Sequence, residues 1–402
     1  MSGPDTLAIR GGTPLRAAPM PARFALGEDE ERMIAECIRH YRAIGLDPGF
    51  QDTYEKRYTD AFVATLGGGY ADAVGSGTLA LYVAIAALDL PPGSEMLVSP
   101  ITDAGTISAI ILNRLKPRLV DARPDSYNAG AAEFERRIGP DVRALCVVHS
   151  IGQAAPIDAI MDVARKHGLA VLEDCSQSHG ATCGGRPVGT FGDIAAFSTM
   201  YRKAHMAGGC GGIVYARDLE LHRRALAHAD RGKPRWRADY DDRNPNQFLF
   251  PALNHHTDEI SCAIGCASLA RLGDTMRRRR AFVAEFARLL AAQSDICRPY
   301  AHADADSPFI FPVIVDPARI TCTPKEFAEA VRAEGIGLNP HYEYLVADWP
   351  WAKPHLADDF ATPVARSVRD RSFCLYLNEN YGPAEARDAA AAIAKVERHF
   401  RR

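Results

Sequence analysis

Short apolar runs alternate with amphipathic stretches from about residue 70 to residue 216. We predict six of these runs as strands, because buried strands of a mostly parallel sheet are apolar on both faces. The clearest intervening helix is Pro156–His167, where Ile157, Ile160 and Ala164 share one face and Gly168 follows. Strands alternating with helices indicate an α/β domain with helices on both faces of its sheet. The predicted strands are Met96–Ser99, Arg118–Asp121, Ala144–Val148, Leu169–Leu172, Ile194–Ser198 and Ile213–Ala216.

The pattern changes after Asp258, where longer helical stretches predominate and a smaller α/β domain is expected. The Arg277–Arg280 run is interpreted as the solvated face of a helix. We therefore predict a large domain over residues 56–272, a small domain over residues 273–402, and a turn-rich N-terminal segment over residues 1–55 that packs on them. Helices are predicted from Asp258 to about Leu272, from about Thr275, over Lys325–Glu334 and over Ala384–Phe400, and a strand over Phe309–Val315.

Composition excludes several classes of protein. The 402 residues carry 47 Lys and Arg against 50 Asp and Glu, and 47% of them are hydrophobic, which is typical of a globular protein and unlike a nucleic-acid-binding chain. No stretch has the length and apolarity of a membrane span. The ten cysteines show no CxxC spacing, and Cys262 and Cys266 lack further ligands, so we expect a cytoplasmic protein with reduced thiols and no metal site.

The segment Gly75-Ser76-Gly77-Thr78 precedes an apolar helix candidate. A turn of small residues at a helix N-terminus offers backbone N–H groups and a hydroxyl to an anion, which makes it a candidate phosphate site. The alternative is an ordinary helix cap formed by Ser or Thr.

Two further segments carry candidate chemistry. Glu173 and Asp174 follow a predicted strand, and ligands bind at the carboxyl ends of strands in open α/β sheets, although a turn or a cap would also explain an acidic pair. Lys203 lies five residues after the strand that ends in Ser198 and before the glycine cluster Gly208–Gly212. Such a lysine can form a Schiff base if its pKa is lowered, whereas the alternative is an ordinary surface lysine.

These segments together resemble the DegT/DnrJ/StrS family of pyridoxal-phosphate-dependent sugar and cyclitol aminotransferases. The resemblance covers nearly the whole chain and includes LAIRGGTPLR at the start, the SGT turn, EDCSQSHGA, VGTFGDIAAFS, NHHTDEISCAIG and LYLNENYG. The opening is similar to the branch that contains scyllo-inosose aminotransferases and aminohydroxybenzoate synthases. The resemblance implies the pyridoxal-phosphate-dependent transferase fold of type I, with a mostly parallel central sheet between helices and a smaller C-terminal α/β domain.

The resemblance also implies roles for individual residues. Lys203 matches the lysine that forms the internal aldimine with pyridoxal phosphate, Asp174 the partner of the pyridine nitrogen, and Gln177 the neighbour of the phenolic oxygen. The implied reaction moves an amino group from Glu or Gln to a keto sugar or keto cyclitol in two ping-pong half-reactions. The alternatives are a dehydratase, isomerase or aromatising enzyme on the same scaffold, or a cofactor-binding regulator without catalysis.

The family pattern further assigns the cofactor phosphate. Gly77, Thr78 and Ser198 match its contacts within one subunit, and Asn254 matches an asparagine that reaches the phosphate of the neighbouring subunit. A homodimer with shared active sites is therefore expected. His179 matches a position near the cofactor, where it is a candidate for contact with substrate.

Other positions depart from the family pattern or are less specific. Asp103 stands where many members carry an aromatic residue against the cofactor ring; it either approaches the cofactor, leaves the ring to another group, or caps the next helix. Arg231 and Trp236 belong to a basic loop that could bind a phosphate or carboxylate of the substrate, or could simply be solvated. His341 and Tyr342 match a segment that borders the site, where they could bind substrate or serve packing.

Overall fold

A seven-stranded sheet organises the first two thirds of the chain in the computed structural model, which describes residues 6–402. The strand order is β1-β9-β8-β5-β4-β2-β3, with a two-stranded hairpin, β6 and β7, between β5 and β8. The bounds are β1 Tyr70–Val74, β2 Glu95–Val98, β3 Lys116–Leu119, β4 Val142–Val148, β5 Ala170–Asp174, β6 Thr182–Cys183, β7 Arg186–Pro187, β8 Ile194–Ser198 and β9 Gly212–Ala216.

The five strands β3, β2, β4, β5 and β8 run parallel, and β9 runs antiparallel to both β8 and β1. The carboxyl ends of the parallel strands, the end of β1 and the start of β9 therefore meet at one edge of the sheet. All six predicted strands are present, shifted by at most two residues at either end. The sequence pattern missed Tyr70–Val74, because buried Asp72 interrupts its apolar character.

Helices cover both faces of this sheet, as predicted. Apolar side chains of α3, α4 and α7 pack on one face, while α5 and α6 pack on the other, where α2 and α8 also contribute. The helices are α1 Glu28–Ala43, α2 Thr53–Thr65, α3 Gly77–Ala87, α4 Ala104–Leu112, α5 Ala131–Glu135, α6 Ile157–His167, α7 Leu219–Ala229, α8 Glu259–Ala270, α9 Leu272–Gln293, α10 Pro324–Ala333, α11 Pro363–Asp370 and α12 Pro383–Phe400.

The C-terminal part contains a second, antiparallel sheet in the order β10-β11-β13-β12. Its core includes Phe286, Phe327 and Phe373, and α12 packs against α9. The proposed boundary between residues 272 and 273 falls at the start of α9. The strands are β10 Cys297–Pro299, β11 Ile310–Val315, β12 Leu338–Asn339 and β13 Ser372–Tyr376.

The N-terminal segment differs from the turn-rich prediction. It contains the whole of α1, whose Met33, Cys37 and Tyr41 repeat every four residues and pack beside α8. Before α1 the chain lies on the C-terminal part, where Arg16 pairs with Glu385 and Asp388.

The arginine run in α9 also differs from its prediction as a solvated helix face. Arg277 and Arg278 are exposed as predicted, but Arg279 is only 1% exposed and pairs with Glu379. A period of 3.6 residues turns the third arginine of the run toward the protein. All ten cysteines are free. Across residues 6–402, the helices are too short or too polar to cross a membrane.

Candidate active site

A cavity of about 860 Å³ opens at the edge of the large sheet where the parallel strands end. Its volume lies in the range of small-molecule sites. Val148 and Asp174, the last residues of β4 and β5, line its floor, and residues of the C-terminal part complete its wall. Five residues predicted for the site line it: Asp103, Asp174, Gln177, Lys203 and Tyr342.

Asp174 presents a buried carboxylate to the cavity. Its side chain is 3% exposed, Oδ2 accepts a hydrogen bond from Thr106 Oγ1 at 2.8 Å, and Oδ1 accepts one from Ser176 N at 3.0 Å. Thr106 Oγ1 is in turn 2.8 Å from Thr102 Oγ1. These bonds leave acceptor capacity on the carboxylate, because each of its oxygens can accept two hydrogen bonds.

Lys203 lies in the loop between β8 and β9. Desolvation lowers the pKa of Lys203 to about 8, although the charges of Asp174 and Asp103 act in the opposite direction. Its Nζ is 4.4 Å from the centre of the Phe309 ring. A lysine with a pKa near neutrality is a nucleophile and a proton carrier, unlike an ordinary surface lysine.

The start of α3 lies against the end of β8. Ser76 caps the helix by accepting a hydrogen bond from Leu79 N at 3.2 Å, so the capping interpretation is correct for this residue. A Cβ at Gly77 would stand 2.4 Å from Ser198 Cβ, so only glycine allows this close approach. The helix N-terminus, Ser198 and exposed Thr78 thus lie together, which is the arrangement of an anion site.

Gln177 is held in one orientation. Ile151 N donates to Gln177 Oε1 at 2.7 Å, so the amide NH₂ is the donor end, and it lies beside Tyr342. Ile151 has φ 61°, a strained value for a β-branched residue and one often found beside functional sites. Tyr342 is buried next to Gln177 and stacks on Tyr127 at 5.8 Å, and burial raises the pKa of Tyr342 far above its ordinary value.

Asp103 caps the next helix, which was one of the predicted possibilities, and it also lines the cavity. Its Oδ1 accepts a hydrogen bond from Gly105 N at 2.9 Å and caps α4, while the exposed carboxylate also lines the cavity. A Cβ at Gly105 would stand 2.4 Å from Thr78 Oγ1, so the start of α3 adjoins the cavity at this point.

His179 does not reach the cavity surface. It is 2% exposed, and its Nε2 is 2.7 Å from Ser198 O, so the ring lies behind β8. Desolvation lowers the pKa of His179 to about 4, against the hydrogen bond to Ser198. The expectation that His179 contacts substrate is therefore corrected: the residue supports the backbone of Ser198.

Seven other predicted residues also do not line the cavity of this chain: Gly77, Thr78 and Ser198 at the start of α3 and the end of β8, and Arg231, Trp236, Asn254 and His341 elsewhere. Arg231 pairs with Asp230, and Trp236 belongs to the same loop, away from the cavity. His341 is near Glu343 and Asp370 and does not line the cavity, which favours the packing alternative. Asn254 lines a separate depression beside Gly75, together with Cys210 and His256.

The sequence pattern missed much of the cavity wall. Arg23 and Phe24 come from the N-terminal segment, where no motif marks them. Tyr376 and Asn378 belong to LYLNENYG, so their motif was noticed although their roles were not. The other residues missed include Thr102, Arg202, Phe309, Asn339 and Tyr344.

His149, Glu173 and Cys175 have the spacing of a possible metal site, but hydrogen bonds already occupy the carboxylate. Glu173 accepts bonds of 2.7 Å from the backbone N–H groups of Gly189, Phe191 and Gly192, and lies 3.0 Å from His149 Nε2. Burial raises the pKa of the Cys175 thiol far above its ordinary value, which opposes the thiolate that a metal requires. The cluster is therefore structural.

Known proteins match this chain over most of its length. The sequence matches the DegT/DnrJ/EryC1/StrS aminotransferase family over residues 36–394. An L-glutamine:2-deoxy-scyllo-inosose aminotransferase of Streptoalloteichus tenebrarius is 29% identical, over 98% of this chain and 98% of its own. A dTDP-3-amino-3,6-dideoxy-alpha-D-galactopyranose transaminase of Aneurinibacillus thermoaerophilus is 33% identical over 59% of this chain and 62% of its own.

Solved structures agree on the fold. The aminotransferase of Psychrobacter cryohalolentis superposes with a TM-score of 0.86 at 23% identity, covering 95% of this chain and 100% of that one. The predicted type I fold is thus confirmed. Since the family match spans most of its length, the chain belongs to the DegT/DnrJ/EryC1/StrS aminotransferase family.

Proposed function

We propose that this chain transfers an amino group from Glu or Gln to a keto sugar or keto cyclitol, with pyridoxal phosphate bound at Lys203. One observation carries the proposal: a lysine whose pKa is lowered to about 8 lines the same cavity as the buried carboxylate of Asp174. The names of the relatives, which include a glutamine:scyllo-inosose aminotransferase and a sugar transaminase, support the substrate class.

The residues at the sheet edge fit this cofactor. The N-terminus of α3 with Gly77, Thr78 and Ser198 would hold the phosphate, since the missing Cβ at Gly77 opens the approach to Ser198. Asp174 would hold a proton on the ring nitrogen, because an opposite charge favours the protonated form. Bound there, pyridoxal phosphate supplies an electron sink for the carbon that exchanges its amino group.

The chain's own groups provide the proton transfers. The neutral amine of Lys203 takes up a proton, and its conjugate acid returns one, with a pKa close to the working pH. The amide NH₂ of Gln177 has two N–H donors, so one can bond Tyr342 while the other would donate to an oxygen of a ligand in the cavity. Asp103 adds a second carboxylate beside the lysine.

The remaining wall supports a polyhydroxylated ring as substrate. It combines tyrosine rings, which pack against C–H faces, with amides that exchange hydrogen bonds with hydroxyl groups. These side chains are Asn339, Tyr342, Tyr344, Tyr376 and Asn378.

We further propose a homodimer in which Asn254 completes the site of its partner. Asn254 is exposed, lies outside the cavity of its own chain, and lines a depression of about 450 Å³ beside Gly75. Mixing Lys203→Ala and Asn254→Ala subunits tests this. Shared sites regenerate about a quarter of the wild-type activity under random pairing. Sites within single chains regenerate none, which would refute the sharing.

We place the enzyme in the cytoplasm, in keeping with its ten free cysteines.

The amino-transfer proposal is tested by adding Gln or Glu to the protein loaded with pyridoxal phosphate. We expect the absorbance of the lysine-bound cofactor to disappear as the amine form accumulates, and a keto cyclitol or keto sugar to restore it. Lys203→Ala should abolish the starting absorbance. Absence of the half-reaction with every amino donor tested would refute the proposal and favour the dehydratase or regulator alternative.

A further inference from the structure

The loop that carries Lys203 has neither helix nor strand to fix it. Between β8 and β9, its internal backbone hydrogen bonds include Thr199 N to Gly211 O at 2.8 Å and Lys203 N to Met200 O at 2.9 Å. The carbonyl groups of Tyr201 and Ala204, on either side of Lys203, point instead to a residue far away in sequence.

That residue is Arg23 of the N-terminal segment. Its Nη1 donates to Tyr201 O at 2.7 Å and its Nη2 donates to Ala204 O at 3.2 Å. Its Nε donates to Glu379 Oε1 at 2.9 Å. One guanidinium thus holds the backbone on both sides of Lys203, using the fixed planar fork that lysine lacks. These bonds use three of the five N–H donors of the guanidinium.

Glu379 is fixed from its other side. Arg279, which is 1% exposed, donates to Glu379 Oε2 from Nη2 at 2.8 Å and to Pro308 O from Nη1 at 3.3 Å. The Glu379 side chain is only 13% exposed, so its ion pairs lie in a region of limited solvent access. The carboxylate therefore connects an arginine of α9 to the arginine that holds the lysine loop.

The same turn of the C-terminal part holds the backbone of the N-terminal segment. Asn378 Nδ2 donates to Pro21 O at 2.9 Å, and Asn380 Nδ2 lies 2.9 Å from both Ala22 O and Arg23 O. Residues 21–23 are thus clamped between the turn at 378–380 and the lysine loop. Residues 21–23 therefore connect the C-terminal part to the lysine loop through hydrogen bonds.

We infer that Arg23 is a positioning residue, which sets the location of Lys203 by bonding the carbonyl groups on both sides of it and transmits to it the position of the turn at 378–380. The inference rests on the proposed function for the role of Lys203. It goes beyond that function in making the N-terminal segment part of the active site.

The experiment measures Lys203 in the cofactor-free protein, so that it does not depend on catalysis. Reductive methylation across a pH series, read by peptide mass, gives the midpoint at which the Lys203 amine becomes reactive. In the unchanged chain we expect this midpoint at about 8. Arg23→Ala should hydrate the loop and raise the midpoint by roughly one unit, which lowers labelling near pH 8 about five-fold relative to its plateau.

Two variants separate positioning from charge and from general stability. Arg23→Lys keeps the positive charge but cannot make all three bonds, so we expect it to behave like Arg23→Ala. If Arg23→Lys instead restores the wild-type midpoint, Arg23 acts only through its charge and the inference is wrong. Arg16→Ala is the matched control, because Arg16 lies in the same segment and pairs with Glu385 and Asp388 without touching the loop. It should leave the midpoint unchanged.

Further outcomes keep this inference distinct from the proposed function. An unchanged midpoint in both Arg23 variants overturns the positioning role even if Lys203 binds the cofactor. A shifted midpoint in both, with Arg16→Ala unchanged, supports the role even if no amino transfer is found. Equal shifts in the Arg16 and Arg23 variants indicate general loosening of the N-terminal segment and also overturn it.

Discussion

Glu173 and Asp174 are neighbours in sequence, similar in chemistry and almost equally buried, yet their surroundings differ. Consecutive residues of a strand point to opposite faces of the sheet. Glu173 enters a closed region where it accepts three backbone N–H groups and contacts His149. Asp174 enters the cavity, where it accepts hydrogen bonds from Thr106 Oγ1 and Ser176 N.

The difference shows how to separate a structural acid from a chemical one. His149 is itself directed, because Ala155 N donates to its Nδ1 at 3.0 Å and leaves Nε2 to face Glu173. Although burial alone would raise it, the pKa of Glu173 is lowered by these hydrogen bonds. A saturated carboxylate stabilises the fold, whereas a carboxylate with unused acceptor capacity beside a cavity can bind a ligand.

The largest effect we expect is on stability, from Glu173→Gln. The amide keeps the volume but offers one acceptor oxygen to four donors, so buried N–H groups lose their partner. Breaking such a buried network costs about 3–5 kcal/mol of the free energy of unfolding, measurable in urea. Glu220→Gln is the control, because Glu220 is exposed and pairs only with Arg223. A loss below about 1 kcal/mol for Glu173→Gln would mean that the hydrogen bonds of Glu173 do not stabilise the fold, and that Glu173 does not differ from Asp174 in this respect.

The second prediction concerns the neighbouring residue Asp174, where we expect a large loss of activity and little loss of stability. Asp174→Asn should slow amino transfer by about 10²–10³-fold. A neutral amide lacks the negative charge that is expected to keep the ring nitrogen of the cofactor protonated. Stability should change little, since the amide oxygen can still accept from Thr106. Steady-state rates and urea denaturation on the same preparations check both parts. If Asp174→Asn retains a tenth or more of the activity, Asp174 does not bear the predicted charge.

Much of this arrangement could be predicted from sequence because it follows from local rules. Strand β8 was predicted with its observed ends, Ile194–Ser198, and β5 within two residues, since buried parallel strands are nearly continuous apolar runs. Residues directly after such strands reach the ligand edge of the sheet. Asp174, Gln177 and Lys203 were identified on that basis together with the family resemblance.

The rest depends on contacts between segments far apart in the chain. Arg23 meets Glu379 across 356 residues, and no period or motif records that contact. His341 and Tyr342 show a related limit. His341 lies in a bend where its backbone N–H donates to Asn339 Oδ1, and of the two neighbours Tyr342 lines the cavity and His341 does not. The buried Arg279 shows that a charged run can conceal one residue turned inward.

His179 provides a pH test of a third buried group, which resembles Glu173 in being structural. Burial lowers the pKa of His179 from 6.5 to about 4, so the unfolded chain binds more protons than the native state between these values. The contribution of neutral His179 to stability is therefore complete above about pH 6.5 and is lost as the pH falls toward 4.

We expect His179→Gln, which keeps a donor for Ser198 O but does not titrate, to lose less stability on acidification than the wild type. The difference should be about 2 kcal/mol between pH 7.5 and pH 5. Urea denaturation at both pH values measures it, and buried His205, whose ring centre is 5.6 Å from that of His179, is retained in both proteins. Identical pH dependence in the two proteins would mean that His179 titrates normally in the folded chain.

The smallest effect concerns the support of Asp174 itself. Thr106→Val keeps the shape of the side chain but removes the 2.8 Å hydrogen bond to Asp174 Oδ2. We expect this loss to raise the activation free energy of amino transfer by about 1 kcal/mol, which slows the reaction about five-fold. Thr65→Val is the control, because exposed Thr65 at the end of α2 also loses a hydrogen bond, to Phe62 O, but lies outside the cavity, so the rate should not change. The double variant decides the mechanism: if Thr106 acts through Asp174, adding Thr106→Val to Asp174→Asn slows the reaction by much less than five-fold, because that donor then no longer faces a charge. Full additivity would place the effect of Thr106 elsewhere in the cavity and weaken the contrast between an open carboxylate and a saturated one.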